Sequence, residues 1–84
     1  MNVTVRYFAS LRERLGTSET VALDDGDTSV GALRDLLIAR STAHAEALAR
    51  GRAIRTALDQ TLCNEAAMLR DGAEVAFFPP VTGG

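Results

Sequence analysis

Lysine and tryptophan are absent from the sequence, and histidine and cysteine occur once each, as His44 and Cys63. Without lysine, the chain cannot form a Schiff base, hold a nucleotide through a P-loop lysine, or offer an ε-amine for acylation. One histidine and one cysteine exclude a His/Cys metal cluster, so we expect no bound metal ion. A single cysteine cannot close an internal disulfide, which fits the reducing cytosol.

Basic charge and long apolar runs are also scarce. All nine basic residues are arginines, and against eleven acidic residues they leave a net charge of −2. Nucleic-acid binding needs a basic surplus. No apolar run approaches the roughly 20 residues of a membrane span, and the first residues lack the layout of a signal peptide. We therefore expect a cytoplasmic protein that binds neither nucleic acid nor a membrane.

A hydrophobic content of 46% over 84 residues indicates one small domain with a mainly aliphatic core, since aromatic residues make up only 5%. Apolar periodicity predicts one main helix that begins at Thr28 or Ser29, is interrupted at 41–42 and ends at Gly51. Its apolar positions are Val30, Leu33, Leu36 and Leu37. A short helix is predicted over 11–15, ending at Gly16, and strands over 3–8, 19–23, 53–58, 61–63 and 74–78. This order is typical of an α+β domain with one helix across a mixed sheet.

Strand alternation divides the aromatic residues between the two faces of the sheet. Tyr7 shares a face with Val5, whereas Phe8 lies on the opposite face, and Phe77 and Phe78 are divided in the same way. With Phe77 under the helix, Phe8 and Phe78 lie on neighbouring strands of the open face. An exposed apolar patch of this kind usually marks a partner surface.

The other polar candidates favour structural interpretations. His44 lies in an alanine-rich helical stretch and is interpreted as a surface residue, and Cys63 as a small packed side chain. Asp24, Asp25 and Asp27 resemble the start of a calcium loop but lack its downstream glutamate, which favours a solvated turn. The arginines interpreted as solvated faces are Arg12, Arg14, Arg50, Arg52 and Arg55.

The last residues form a segment unlike the rest of the chain. After Phe78 the sequence reads Pro-Pro-Val-Thr-Gly-Gly. Gly-Gly has no side chain to bury and cannot help folding, while the two prolines stiffen the exit from the sheet. We divide the chain into a folded domain, residues 1–78, and an extended tail, residues 79–84. Such a thin tail can enter a narrow channel in another protein and present its carboxylate there.

The octapeptide at 77–84, Phe-Phe-Pro-Pro-Val-Thr-Gly-Gly, resembles the signature tail of the small, sulfur-carrying subunit of molybdopterin synthase. The similarity includes Val-Arg-Tyr-Phe-Ala at 5–9, Asp-Gln-Thr-Leu at 59–62 and Asp-Gly at 71–72, and it is weakest over 38–53. This resemblance implies a ubiquitin-like β-grasp fold, an α+β domain in which one main helix packs across a mixed sheet and a flexible Gly-Gly tail follows.

The resemblance also implies a mechanism centred on Gly84. An adenylyltransferase of the ubiquitin-activating type consumes ATP to adenylate the Gly84 carboxylate, and a sulfur donor protein then supplies the sulfur of a thiocarboxylate. The large synthase subunit binds the charged tail and transfers its sulfur to cyclic pyranopterin monophosphate. The chain is then a sulfur donor with no stand-alone enzymatic activity and no stably bound cofactor.

The same resemblance assigns partner contacts within a heterotetramer of two small and two large subunits. The tail residues expected inside the channel of the large subunit are Pro80, Val81, Thr82 and Gly83. The residues expected on the interface are Phe8, Phe78 and Leu62, of which Leu62 matches a family position on the open face.

Other functions stay open at this point. Sulfur carriers for thiamin thiazole synthesis or tRNA thiolation share the Gly-Gly end, although the preceding Phe-Phe-Pro-Pro-Val-Thr favours molybdopterin. A ubiquitin-like modifier would be conjugated to lysines of other proteins. The absence of lysine in this chain excludes self-linked chains through lysine but not that conjugation. A plain β-grasp binding module would show no tail chemistry.

Overall fold

The computed structural model describes residues 1–24, 26 and 28–80. Within them the chain order is β1 (Asn2–Tyr7), α1 (Ser10–Leu15), β2 (Ser18–Ala22), α2 (Val30–Ile38), α3 (Thr42–Leu48), β3 (Arg55–Leu58), β4 (Thr61–Cys63) and β5 (Glu74–Phe78). None of the helices in these ranges has the length and apolar character needed to cross a membrane.

The strands form one mixed sheet in the order β2-β1-β5-β3-β4. The central strands β1 and β5 are parallel, with Tyr7 opposite Phe77, and the other pairs are antiparallel. A parallel pair needs a crossover connection. The segment between β1 and β5 supplies it and includes the helices that cover one face of the sheet. The expected mixed sheet is confirmed, and its last strand lies in the middle.

The core lies between the helices and one face of the sheet. Alternate residues of the central strands point into it, and the rings of Tyr7 and Phe77 stack with their centroids 6.3 Å apart. Leu33 and Leu37 of α2 and Leu48 of α3 are fully buried against these strands. The aliphatic core expected from the composition is therefore confirmed, with two aromatic rings at its centre.

The helical segment expected as one interrupted helix consists of two helices, each with its own N-cap. The Ser29 hydroxyl accepts a hydrogen bond from Ala32 N at 3.1 Å, and the Ser41 hydroxyl accepts one from His44 N at 3.1 Å. Serine at an N-cap satisfies a backbone donor that the helix cannot, so Ser41 begins a new helix where α2 has ended. Leu36, expected on the packed stripe, is 39% exposed on the outer side of α2.

Two tight turns fix the ends of the central strands. Asp59 and Gln60 have φ of 49° and 69°, and turns with two such residues match the twist of a hairpin. Asp59 Oδ1 accepts a hydrogen bond from Glu74 N at 2.9 Å, which ties this turn to the start of β5. After β1, Ala9 takes φ 54° and ψ −130°, and Leu11 N donates to Phe8 O at 3.1 Å, so the chain reverses directly after Phe8.

Candidate functional site

The face of the sheet away from the helices, called the open face below, carries the aromatic residues singled out in the sequence. Arg6 is paired with Ala76, Ala76 with Ala57, and Ala57 with Leu62, which makes one row of side chains across four strands. Paired residues project from the same face, and Phe77, the neighbour of Ala76, is buried on the other. This row therefore points away from the core.

The open face contains a recess of about 440 Å³. Its lining residues are Phe8, Phe78, Ala57, Ala76, Gln60 and Glu74. Ala57 and Ala76 form the floor because they are the smallest side chains of the row, and the two phenylalanines rise on the side from which the tail leaves. Phe8 is 40% exposed and Phe78 is half-buried, while Leu62, farther along the row, is 63% exposed.

Arginines lie beside the recess. The guanidinium carbon of Arg6 lies 5.6 Å from the centroid of the Phe8 ring, a cation–π contact, and Arg6 Nη1 is 3.9 Å from Glu74 Oε2. Arg55 is exposed opposite Phe78, and its side chain has no hydrogen-bond or ion-pair partner within 1–24, 26 and 28–80. The interpretation of Arg55 as solvated is confirmed, and Arg55 lies beside Phe78.

The tail leaves the domain next to these aromatic residues. Phe78 is the last residue of β5, and Phe8 N donates to Phe77 O at 3.2 Å, so Phe8 and Phe78 stay side by side beyond the end of β1. Pro79 and Pro80 follow and are half-buried. The other predicted tail residues, Val81, Thr82, Gly83 and Gly84, lie outside the described residues, and their roles stay predictions, as do those of Phe8, Leu62 and Phe78.

The interpretation of His44 as a surface residue is wrong. Its side chain is only 14% exposed, Nε2 lies 2.8 Å from Glu19 Oε2, and Nδ1 lies 2.6 Å from the Ser41 hydroxyl. Glu19 Oε2 also accepts a hydrogen bond from the Tyr7 hydroxyl at 2.8 Å, and Oε1 lies 3.2 Å from Arg40 Nη1. This cluster joins β1, β2 and α3 beside the core.

The neighbouring groups in this cluster shift the pKa values of Glu19 and Tyr7. Burial raises the pKa of Glu19, but hydrogen bonds from His44 and Tyr7 and the charge of Arg40 outweigh it, so the pKa lies below its ordinary value. Burial raises the pKa of Tyr7, and the hydrogen bond to the Glu19 carboxylate raises it further. Tyr7 therefore stays a neutral donor to an ionised Glu19.

A second polar cluster, around the buried Arg34, was not predicted from the sequence. Arg34 is 3% exposed; its Nε donates to Leu48 O at 2.8 Å, Nη2 to Ala49 O at 2.7 Å, and Nη1 to Glu65 Oε2 at 2.8 Å. Every donor group of this guanidinium faces an acceptor, as a buried charge requires. Its position four residues after Val30, on the buried stripe of α2, is the sequence signal that identifies it.

Arg50, interpreted from the sequence as solvated, belongs to the same cluster. Its Nε donates to Asp35 Oδ1 at 2.8 Å, Nη2 donates to Gly31 O at 2.9 Å, and Nη1 pairs with Glu65. A Cβ on Gly31 would lie 3.2 Å from the Glu65 backbone oxygen. The glycine that lowers the helix propensity of α2 therefore admits the Glu65 segment. Arg50 is exposed, as its solvated interpretation expected, and it also forms ion pairs at the surface.

Cys63 and the acidic turn are the remaining candidates from the sequence. Cys63 is half-buried against the core, with its Sγ 3.5 Å from Thr56 Oγ1, which confirms a packed side chain. Among the described residues, no group of three or more His, Cys, Asp or Glu side chains could hold a metal ion. Asp25 and Asp27 of the predicted solvated turn lie outside those residues.

The architecture places the protein in a structural class. Parallel central first and last strands, antiparallel neighbours and helices packed across one face define a ubiquitin-like β-grasp domain. The chain belongs to the ThiS family, whose model matches residues 5–84.

Relatives of known name match the chain over nearly its full length. The molybdopterin synthase sulfur carrier subunit of Escherichia coli (strain K12) is 46% identical over 82 residues, which are 98% of this chain and 99% of that protein. The crystal structure of H. volcanii small archaeal modifier protein 1 is 28% identical with a TM-score of 0.75, over 95% of this chain and 98% of that one. A chain in the complex of subunits 1 and 2 of molybdopterin-converting factor from Helicobacter pylori 26695 is 27% identical with a TM-score of 0.69, over 100% of both chains.

Proposed function

We propose that this protein is the sulfur carrier of molybdenum-cofactor biosynthesis and that the Gly84 carboxylate carries the sulfur. The observation on which the proposal rests is the similarity to the E. coli molybdopterin synthase sulfur carrier subunit, 46% identical over 98% of this chain. The ThiS family model matches residues 5–84, which include both the domain and the Gly-Gly end, the two parts that the chemistry requires.

The proposed reaction begins by activating a poor electrophile. The Gly84 carboxylate attacks the α-phosphate of ATP in an adenylyltransferase of the ubiquitin-activating type, and pyrophosphate leaves. The terminal sulfur of a persulfide on the donor protein then attacks the acyl adenylate, and AMP leaves. A thiol finally reduces the acyl disulfide, which releases the thiocarboxylate. Gly84 is a covalent carrier here, and the catalytic groups belong to the partners.

The proposed assembly places the open face of this chain on the large subunit of molybdopterin synthase, in a heterotetramer of two small and two large subunits. The similar chain from Helicobacter pylori belongs to a complex of two subunits, which supports a large-subunit partner. Phe8, Leu62 and Phe78 form the contact, and Pro79 and Pro80 direct the residues after them into the large subunit. The large subunit then transfers the sulfur to cyclic pyranopterin monophosphate.

The test is the intact mass of the chain after incubation with the activating enzyme, ATP and a persulfide donor. We expect a gain equal to the mass difference between one sulfur and one oxygen atom, located by fragmentation at Gly84. A variant lacking Gly84 is the matched control and should gain nothing. The charged chain should then convert cyclic pyranopterin monophosphate with the purified large subunit. An unchanged mass, or charging without transfer, would overturn the proposal.

A second candidate function is conjugation to other proteins, which the similarity to a small archaeal modifier protein favours. Conjugation would begin with the same adenylation, after which a lysine Nζ of another protein attacks the Gly84 carbonyl, AMP leaves and the amine loses a proton. Mass spectrometry of tryptic peptides from cells should then find this chain's C-terminal fragment on lysines of other proteins. The absence of lysine here excludes chains of linked copies through lysine.

A further inference from the structure

The shape of the open face shows what kind of surface fits it. Within the row that crosses the sheet, Ala57 and Ala76 lie between Arg6 on one strand and Leu62 on another. Phe8 and Phe78 lie on one side of the alanines, and Glu74 and Gln60 also line the recess. Small side chains surrounded by large ones leave the hollow of about 440 Å³.

Folding alone does not require alanine at these two positions. Both side chains point away from the helices and lie outside the hydrophobic cluster of the core, with Ala57 8% exposed at the bottom of the recess. Alanine is depleted in strands, and β-branched residues fit a pleated surface better. Two adjacent alanines, one in β3 and one in β5, therefore keep open a hollow that larger side chains would fill. An apolar hollow on an exposed sheet face is suited to a projecting apolar side chain.

The charge at the recess selects among such surfaces. Arg55 has no partner for its side chain in the part of the chain that the structure describes. Among those residues Glu74 is the one carboxylate that lines the recess, and its Oε2 lies 3.9 Å from Arg6 Nη1. Contact with the Phe8 ring holds the Arg6 guanidinium in place, which lowers the entropy lost when it binds an anion. Two arginines beside an apolar hollow match carboxylates that surround an apolar projection.

We propose that the recess over Ala57 and Ala76 receives a large apolar side chain of the large subunit of molybdopterin synthase, with acidic residues beside it that pair with Arg6 and Arg55. This proposal rests on the proposed function, because that function assigns the large subunit to the open face. It adds the chemistry of the partner surface, which is a projecting apolar side chain with acidic residues beside it.

The experiment measures binding of the purified large subunit to the whole chain by calorimetry. Ala76→Leu fills the recess and should weaken binding by about tenfold or more. Its control is Ala32→Leu on the exposed side of α2, which should bind as the wild type does. Thermal unfolding of both variants verifies that each is folded.

A second pair of variants tests the charge. Arg55→Glu should weaken binding about fivefold at low salt, and its difference from the wild type should shrink as sodium chloride rises from about 0.05 M to about 0.5 M. Arg70→Glu is the control, since Arg70 is exposed in the loop before β5, at the other end of the sheet from Phe78. Its effect on binding should stay within about twofold.

The outcomes separate this proposal from the proposed function. The recess proposal would be overturned if the Ala76→Leu variant bound the large subunit as tightly as the wild type. It would also be overturned if Arg55→Glu and Arg70→Glu weakened binding equally. Sulfur charging at Gly84 would still support the carrier function in both cases. If Ala76→Leu abolished only self-association or only charging by the activating enzyme, the occupant would be a second copy or that enzyme, and the proposal would be wrong. A wild-type chain that neither charges nor binds the large subunit would overturn both.

Discussion

At the scale of single residues, Glu19 is a partly buried charge held by three side chains. Its carboxylate lies on an edge strand, yet it is only 25% exposed and bonds to Tyr7, His44 and Arg40. Desolvation opposes its ionisation, and these donors more than compensate. The charge on Glu19 therefore links the edge strand β2 to α3 and to the centre of the core.

The lowered pKa of Glu19 predicts a pH dependence of stability. A carboxyl group whose folded pKa is below its unfolded value contributes stability above the unfolded pKa, ordinarily 4.5, and loses it as the pH falls through the folded pKa. Glu19→Gln should therefore lower the free energy of unfolding by about 1–2 kcal/mol at pH 7. Urea unfolding of the two proteins should show this difference shrinking towards zero between pH 5 and pH 3, as the wild-type carboxyl takes up its proton.

The matched control is Glu13→Gln, because Glu13 is exposed on α1 and its side chain has no partner among the described residues. It should change the free energy of unfolding by less than about 0.5 kcal/mol at both ends of this pH range. A Glu19→Gln deficit that stayed constant down to pH 3 would mean that the loss came from packing and not from charge.

At the scale of elements, alternate residues of β5 contribute to the core and to the open face. Phe77 is fully buried and stacks on Tyr7, whereas Phe78, its neighbour, lies on the open face beside Phe8. Successive side chains of a strand point to opposite faces, so a core residue and a surface residue can be neighbours in sequence. The same separation explains why β5 reads as a continuous apolar run from Val75 to Phe78.

Two alanine variants of β5 should therefore have opposite consequences. Phe77→Ala should lower the free energy of unfolding by about 3–5 kcal/mol, because it removes a ring from a closed core. Phe78→Ala should lower it by about 1 kcal/mol or less but weaken binding of the large subunit by about 2 kcal/mol or more. Chemical unfolding and calorimetry on the same preparations measure both. Similar unfolding losses in the two variants would place Phe78 in the core and remove it from the interface.

Most elements could be predicted because their signals are local. Alternation around Tyr7 and Phe77 identified both central strands and the face of each residue, and Gly16, with φ of 91°, ends α1 as expected. The pair Asp59-Gln60 identified the hairpin turn. Each of these signals lies within a few residues of the element that it predicts, so no tertiary information was needed.

The polar clusters could not be predicted because their partners are distant in sequence. Glu19 and His44 are 25 residues apart, and Arg34 and Glu65 are 31 apart, so no local pattern joins them. The break between α2 and α3 was visible as Ser41-Thr42, but whether serine interrupts a helix or begins another depends on how α3 packs. The recess is likewise lined by residues of β3 and β5, by Phe8 after β1 and by Gln60 of the hairpin turn, and it is not visible in any one of these segments.

At the scale of the whole molecule, the residues that stabilise the fold and the residues proposed for sulfur chemistry lie in separate parts of the chain. The buried residues of β5 end at Phe77, and the residues proposed for sulfur chemistry follow Pro80. Substitutions at Gly83 should therefore leave the unfolding midpoint unchanged. Under the proposed function, their effect on transfer depends on the width of the proposed channel in the large subunit, where we expect an extended tail to leave little room for a Cβ.

Gly83→Ala should slow transfer moderately, and Gly83→Ile should nearly abolish it, since a β-branched side chain is both bulky and stiff. Single-turnover product formation, with a pre-thiolated carrier and purified large subunit, isolates this step from activation. Transfer by the Ile variant at the wild-type rate would show that Gly83 is only a flexible spacer and that the channel is wide.

The central position of β5 has a mechanical consequence. The chain continues into its tail from a strand bonded to β1 on one side and β3 on the other. A pull applied to the tail along β5 loads both ladders in shear, so that many hydrogen bonds must yield together, whereas a strand at the sheet edge could be peeled off one bond at a time. Under the proposed function the tail passes from the activating enzyme to the large subunit, and a pull on it would act on the strand that is hardest to remove from the sheet.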